Sequence, residues 1–224
     1  MIPPASTWHL GLDLGQRRDF TALATLTCEW TVEGRDPVTW EWNRIPRLIL
    51  RDLERFPLGT NYLFYAEALE ERIKHIDAVT QAYTRRDAVL IVDASGPGGP
   101  VVEELRRANL GIEIKPVIIT GGQEPGATSG GWSTVPRKVL LTNLILLLDH
   151  KKLVTHSRLE DWPVLLEEML DLNASTTQPN KTSAHDDMVM ALAIAAWQAT
   201  RRHPELLPQR HAARSRWSPT GSLF

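Results

Sequence analysis

The sequence predicts a mixed α/β sheet, an antiparallel meander followed by parallel strands, with helices packed against it. Three observations carry this. The opening segments are β-branched or alternating and are joined by turns too short for anything but antiparallel neighbours. A continuous apolar run, "AVLIVD" (88–93), has the pattern of a strand buried on both faces. Around that run, helical and strand patterns alternate, as a parallel crossover pair requires.

The elements follow in order. "WHLGLDL" (8–14), "FTALATLTCEWTV" (20–32) and "VTWEWNRIPRLIL" (38–50) read as three strands, with "GQRRD" and "EGRDP" as the turns between them. "NYLFYAEALEERIKHIDAVTQAY" (61–83) places Tyr62, Tyr65, Leu69, Ile73, Ile76 and Val79 near helical spacing. After "AVLIVD" come a helix, "GPVVEELRRANLG", ending at Gly111, and a strand, "IEIKPVIIT". "GGQEPGATSGG" (121–131) is too polar for core and reads as a Gly-rich loop. "VPRKVLLTNLILLLDHKK" (135–152) has Pro near its start and an apolar body, the mark of a core helix. "LEDWPVLLEEMLDL" (159–172) is a shorter helix, and "NASTTQPNKTSA" is a polar loop. A last helix then runs to about Arg202, stopped by Pro204. Neither a repeat nor a linker interrupts the chain, so one domain over 1–203 is expected. The segment 204–224, with three Arg and three Pro, is expected to be a flexible tail or a partner-binding arm.

Composition narrows the function. With 224 residues, 42% hydrophobic and 23% charged, the chain can bury a core without staples. Cys28 stands alone, which excludes an internal disulfide and any thiolate-rich zinc site. The N-terminus lacks the basic head and apolar core of a signal peptide. The longest apolar run, Met188 to Trp197, is ten residues, about half of the roughly 20 that span a bilayer. A soluble intracellular protein with no membrane partner is therefore expected. Net charge is −2, but phosphate binding depends on local charge. Basic pairs such as Arg137-Lys138 and Lys151-Lys152 leave a basic face open.

Acids stand at positions where the local pattern asks for something else. Asp13 lies between Leu12 and Leu14 in the first strand, Asp93 closes the most apolar strand, and Asp186 and Asp187 open the most apolar helix. Each has an ordinary reading. Asp93 suits the turn "DASGPGG", and either aspartate of the pair suits a helix N-cap. Asp13 is harder to dismiss, because a carboxylate inside a buried strand is costly unless paired. Strand ends and helix N-termini form the crevice of mixed α/β sheets, so the three positions are expected to meet there. Two like charges 4 Å apart repel by about 4 kcal/mol at an effective dielectric of about 20. A helix terminus returns only about 0.3–1 kcal/mol per anion. Convergence therefore demands a cation, and an all-oxygen donor set favours Mg²⁺ or Mn²⁺ over zinc. Such a cluster suits phosphoryl transfer with two metal ions. No GxxxxGK[ST] segment offers a nucleotide-binding alternative, and Thr155–His156–Ser157 reads as an ordinary strand end.

Six segments, "GLDLGQRRDFTALATL", "LERFPLGTNY", "LIVDASGPGGPVVEELR", "PVIITGG", "WSTVPRKVLLTNLILLLDHKKL" and "HDDMVMALAIAAW", occur in this order over residues 8 to 200. In that order they resemble the nuclease domain of tailed-phage terminase large subunits. The resemblance implies an RNase H-like fold, a mixed five-stranded sheet of antiparallel meander then parallel strands flanked by helices. It implies a DNA endonuclease using two Mg²⁺ or Mn²⁺ ions, with Asp13, Asp93, Asp186 and Asp187 as catalytic metal ligands. It also points to His185 before the acidic pair, and to Lys138 or Arg137 as a contact for the scissile phosphate. Asp19 matches the family pattern as a structural residue. The partners implied are double-stranded DNA and a separate ATPase motor, small terminase or portal protein, in the cytoplasm of a bacterial host or encoded by a prophage. Complete large subunits carry the motor ahead of this domain. Here the first catalytic strand starts within fifteen residues of Met1, so an excised domain, a split-gene product and a free-standing nuclease all stay open. Two other readings compete. One is a non-catalytic DNA-binding or assembly module of a packaging complex. The other is an actin-like phosphotransferase, suggested by "GLDLGQRRDFTAL" but lacking a second such strand.

Overall fold

Strands β1 (Thr7–Asp13), β2 (Thr21–Arg35) and β3 (Trp42–Phe56) form the expected antiparallel meander, with Asp13 opposite Ala22 and Thr7 opposite Cys28. The computed structural model describes residues 6–15, 19–80, 87–96, 98–155, 158–177 and 186–207. Helix α1 (Tyr62–Thr80) leads to β4 (Ala88–Asp93), which lies parallel to β1 with Leu12 beside Val92. Helix α2 (Gly98–Arg107) then crosses to β5 (Glu113–Thr120), parallel to β4. The strands β6 (Gly126–Ala127) and β7 (Ser133–Pro136) precede α3 (Arg137–Asp149), β8 (Leu153–Val154), α4 (Trp162–Thr177) and α5 (Asp187–Arg202). A 3-10 turn, Pro204–Leu206, follows, and Leu206 is buried in the core. Residues 208–224, most of the expected tail, lie outside the described residues.

Among the described residues the sheet has eight strands in the order β6-β7-β5-β4-β1-β2-β3-β8. The five expected strands are its centre, and β6, β7 and β8 extend the edges. These additions are two to four residues long, too short to carry a period of their own. Val135 and Pro136, expected in a helix, instead pair with Ile119 and Thr120 of β5. Pro136, with φ −64° and ψ 135°, is still extended and becomes the residue before the first helical turn. Helix formation therefore waits until Arg137.

Alternation along the strands decides what reaches the site. Trp8, Leu10, Leu12, Leu90 and Val92 point to one face, where α1 and α2 cover them with Leu69, Ile73, Val101 and Leu105. Val89 and Ile91 belong to the other face, against α5, which α3 and α4 cover in turn through Leu140, Leu144, Leu147 and Leu165. That double cover explains a helix apolar all round. Every residue from Asp187 to Thr200 is buried, and each large aliphatic side chain among them contributes about 1.5–3 kcal/mol. By the same alternation Thr7, His9, Gly11 and Asp13 share the α5 side of β1. Gly11 sets the spacing: a β-carbon there would stand 2.1 Å from the carbonyl oxygen of Ala191. The helix runs antiparallel to β1, so Asp187 arrives at the Asp13 end and His203 at the Thr7 end.

Candidate active site

Strand geometry alone places two acids side by side. Asp13 and Asp93 follow the paired residues Leu12 and Val92 on parallel neighbours, and parallel strands lie about 4.8 Å apart. Their carboxyl groups stand close enough for Asp93 to bear directly on Asp13. Asp93 Oδ1 also accepts the backbone N–H of Ser95 at 2.8 Å, so the turn role expected of this residue is real and coexists with the pairing. Asp187, the first residue of α5 and 6% exposed, stands close enough to bear on Asp13. Burial pushes the Asp13 carboxyl well above the ordinary carboxylate range. The charges of Asp93 and Asp187 push it further, with only Arg137 opposing.

Asp186 occupies the N-cap position of α5 yet makes no side-chain capping hydrogen bond. Its Oδ2 instead accepts a charge-assisted hydrogen bond from Arg137 Nη2, at the start of α3. Of the two candidate phosphate contacts, Arg137 is the one turned to the acids, while Lys138 is exposed on the first turn of α3. Asp19 is exposed just before β2. His185 lies outside the described residues.

Two residues at this end escaped the sequence reading. Glu168 of α4 is 4% exposed and accepts the backbone N–H of Val189 at 3.0 Å through Oε2. Its Oε1 takes an ion pair from Arg55 Nη2, and the same nitrogen lies 3.7 Å from Asp187 Oδ2. Burial raises the Glu168 carboxyl, against the backbone hydrogen bond from Val189 and the charge of Arg55. The Arg55 guanidinium also stacks over Phe20, 4.8 Å from the ring centre. A signal for Glu168 was available. It falls between Leu165 and Met169, on the stripe of α4 that packs on the core, and an acid on an apolar stripe is the anomaly that singled out the aspartates.

The donor set is all carboxylate oxygen, and the negative charge exceeds what Arg137 and Arg55 balance. Both features fit a hard divalent cation. Among the described residues, no three His, Cys, Asp or Glu side chains are set closely enough around one point to hold an ion as they stand. No helix among them is long and apolar enough to cross a membrane.

No protein-family model and no curated protein matches the chain. Solved structures do. The nuclease domain of the human cytomegalovirus terminase, manganese-soaked and inhibitor-bound, superposes with a TM-score of 0.58 at 13% identity, covering 90% of this chain and 86% of that one. A second structure of that viral domain gives 0.56 at 14% identity, with 89% and 86% covered. The large terminase nuclease of the thermophilic phage G20c is 19% identical over 87% of this chain and 83% of its own, at a TM-score of 0.45. At such identities the likeness of the viral domain is one of fold, and the fold is RNase H-like.

Proposed function

We propose that the chain is a Mg²⁺- or Mn²⁺-dependent endonuclease that hydrolyses phosphodiester bonds of duplex DNA. The observation that carries this is the crowding of Asp13, Asp93 and Asp187 at one end of the sheet, with too little positive charge beside them. The manganese-soaked viral domain of the same fold supports it. Asp13, Asp93 and Asp187 would hold the ions, with Asp186 at the margin. Bound there, the ions would supply a water nucleophile at neutral pH and charge stabilisation for the leaving oxygen.

The chain's own residues do the rest. The close strand-to-helix approach at Gly11 seats α5 directly on β1, with Asp187 at the Asp13 end. Arg137, whose side chain is 40% exposed, can leave Asp186 to meet a backbone phosphate and orient it. Phosphate contacts of this kind position a duplex without reading its sequence, so cleavage with little sequence preference is expected. A packaging role would add a separate ATPase motor, small terminase or portal protein.

The test is cleavage of supercoiled plasmid in EDTA, Mg²⁺ or Mn²⁺, beside Asp13→Asn and Asp93→Asn. Metal-dependent cleavage that falls by about 10³-fold in each variant is the expected result. Wild-type rates in both variants would sink the assignment and leave a DNA-binding module as the better reading.

A further inference from the structure

Two adjacent aspartates open α5: Asp186, at the N-cap, makes no side-chain capping hydrogen bond and turns to Arg137, and Asp187, the first helical residue, bears on Asp13. The first N–H groups of the helix still need acceptors, since no earlier turn supplies them. Glu168 supplies one from a different helix. Its Oε2 takes the Val189 N–H at 3.0 Å, and the Met188 N–H also lies in its reach. Its other oxygen is held by Arg55, whose backbone N–H is itself tied to Asp161 Oδ2 at 3.1 Å, near the start of α4. Arg55 Nη2 then reaches to 3.7 Å from Asp187 Oδ2. The three elements β3, α4 and α5 are thus clamped at the point where Asp187 leaves the helix.

We infer that Glu168, braced by Arg55, is a positioning residue for Asp187: it caps the first turn of α5 from another helix and so holds Asp187 at the site. This rests on the metal-dependent reading above. Three variants separate the possible roles of Glu168. E168Q keeps the reach and an acceptor oxygen but loses the charge. E168D keeps the charge but is one methylene short of the helix end. E168A loses both.

The experiment is calorimetric titration of the folded, metal-free protein with Mn²⁺, with amide exchange at Met188 and Val189 followed in the same samples. Positioning through the cap predicts that E168Q binds Mn²⁺ close to wild type and keeps both amides protected. E168D and E168A then bind about tenfold or more weakly and exchange faster, in line with the usual cost of losing a residue that orients a ligand. Unchanged Mn²⁺ affinity in folded E168D or E168A would overturn the inference, leaving Glu168 a purely structural residue. E168Q losing as much as Asp187→Asn would overturn it too, by making Glu168 a ligand. Wild type that takes up no Mn²⁺ would remove the metal site itself, and that failure shows before any variant is compared.

Discussion

The two ends of the β1–α5 pair bury ionisable groups in opposite ways. At one end Thr7 Oγ1 lies 3.0 Å from His9 Nε2 and 2.8 Å from His203 Nε2. The hydroxyl has one proton, so one imidazole accepts from it and the other donates to it. His203 Nδ1 continues the chain to Glu205 Oε1 at 3.4 Å. His9 is fully buried, and burial, reinforced by His203, Arg202 and Lys115, pushes its pKa down to about 3. That end solves burial by staying neutral. Six residues along the same strand, Asp13 meets Asp93 and Asp187, whose charges add to burial in pushing its carboxyl up. Burial alone therefore does not mark a functional group. What sets the Asp13 end apart is the crowding of like charges.

The largest test of that contrast is metal-linked stability. A ligand that binds only the folded state at about a hundred times its Kd adds about 2.7 kcal/mol, or roughly 5–10 °C of Tm at about 2–4 °C per kcal/mol for a chain of this size. Mn²⁺ should raise the melting temperature of wild type by that order and leave Asp13→Asn nearly unmoved. In EDTA the order should reverse, with Asp13→Asn melting higher because a crowded negative charge is gone. Scanning calorimetry reads both. A variant that melts lower in EDTA would mean that Asp13 is already satisfied by its surroundings.

The histidine end makes the next prediction, in pH. The folded-state pKa of His9 lies below its value of 6.5 in the unfolded chain, so between the two the unfolded state binds the extra proton. Stability from keeping His9 neutral is complete above about pH 6.5 and is lost as pH falls towards about 3. At pH 5 the loss is about 2 kcal/mol, at about 1.4 kcal/mol per pH unit. His9→Gln, which keeps a polar partner for Thr7 but does not titrate, should flatten that slope between pH 6.5 and 5 in denaturant melts. An unchanged slope would assign the acid sensitivity to other groups.

Legibility in the sequence follows the same physics. The five central strands were readable because period 2 and continuous apolar runs reflect burial directly, and Asp13, Asp93 and Asp187 stood out against those patterns. What the sequence hid was cross-element pairing. Arg55 looks like any polar position on a long strand, and its face is set by a register shift between Thr25 and Leu26 that no local pattern announces. Glu168 broke an apolar stripe, but "EEMLDL" reads first as a solvated acidic turn. Asp186 does take the N-cap position, but its side chain turns from the helix N–H groups to Arg137, forty-nine residues earlier.

Arg137 supplies the smallest and sharpest prediction, since its two roles pull in opposite directions. In the metal-free protein its guanidinium stands against Asp186 and lowers the Asp13 carboxyl, so it does part of the work of a cation. Arg137→Gln removes that competitor and should tighten Mn²⁺ binding several-fold, about 1 kcal/mol as a unit charge acting across solvent. If the same side chain meets phosphate in the complex, the variant should also bind duplex DNA more weakly, with the slope of log K against log salt reduced by about 0.9 for one lost contact. Calorimetry with Mn²⁺ and a salt series with a short duplex measure the two effects separately. Tighter metal with weaker DNA would identify Arg137 as a group that alternates between the acids and the substrate. Weaker metal binding would instead make it a fixed support of Asp186, and the contrast between the two ends of β1 would then lie in the strand's acids alone.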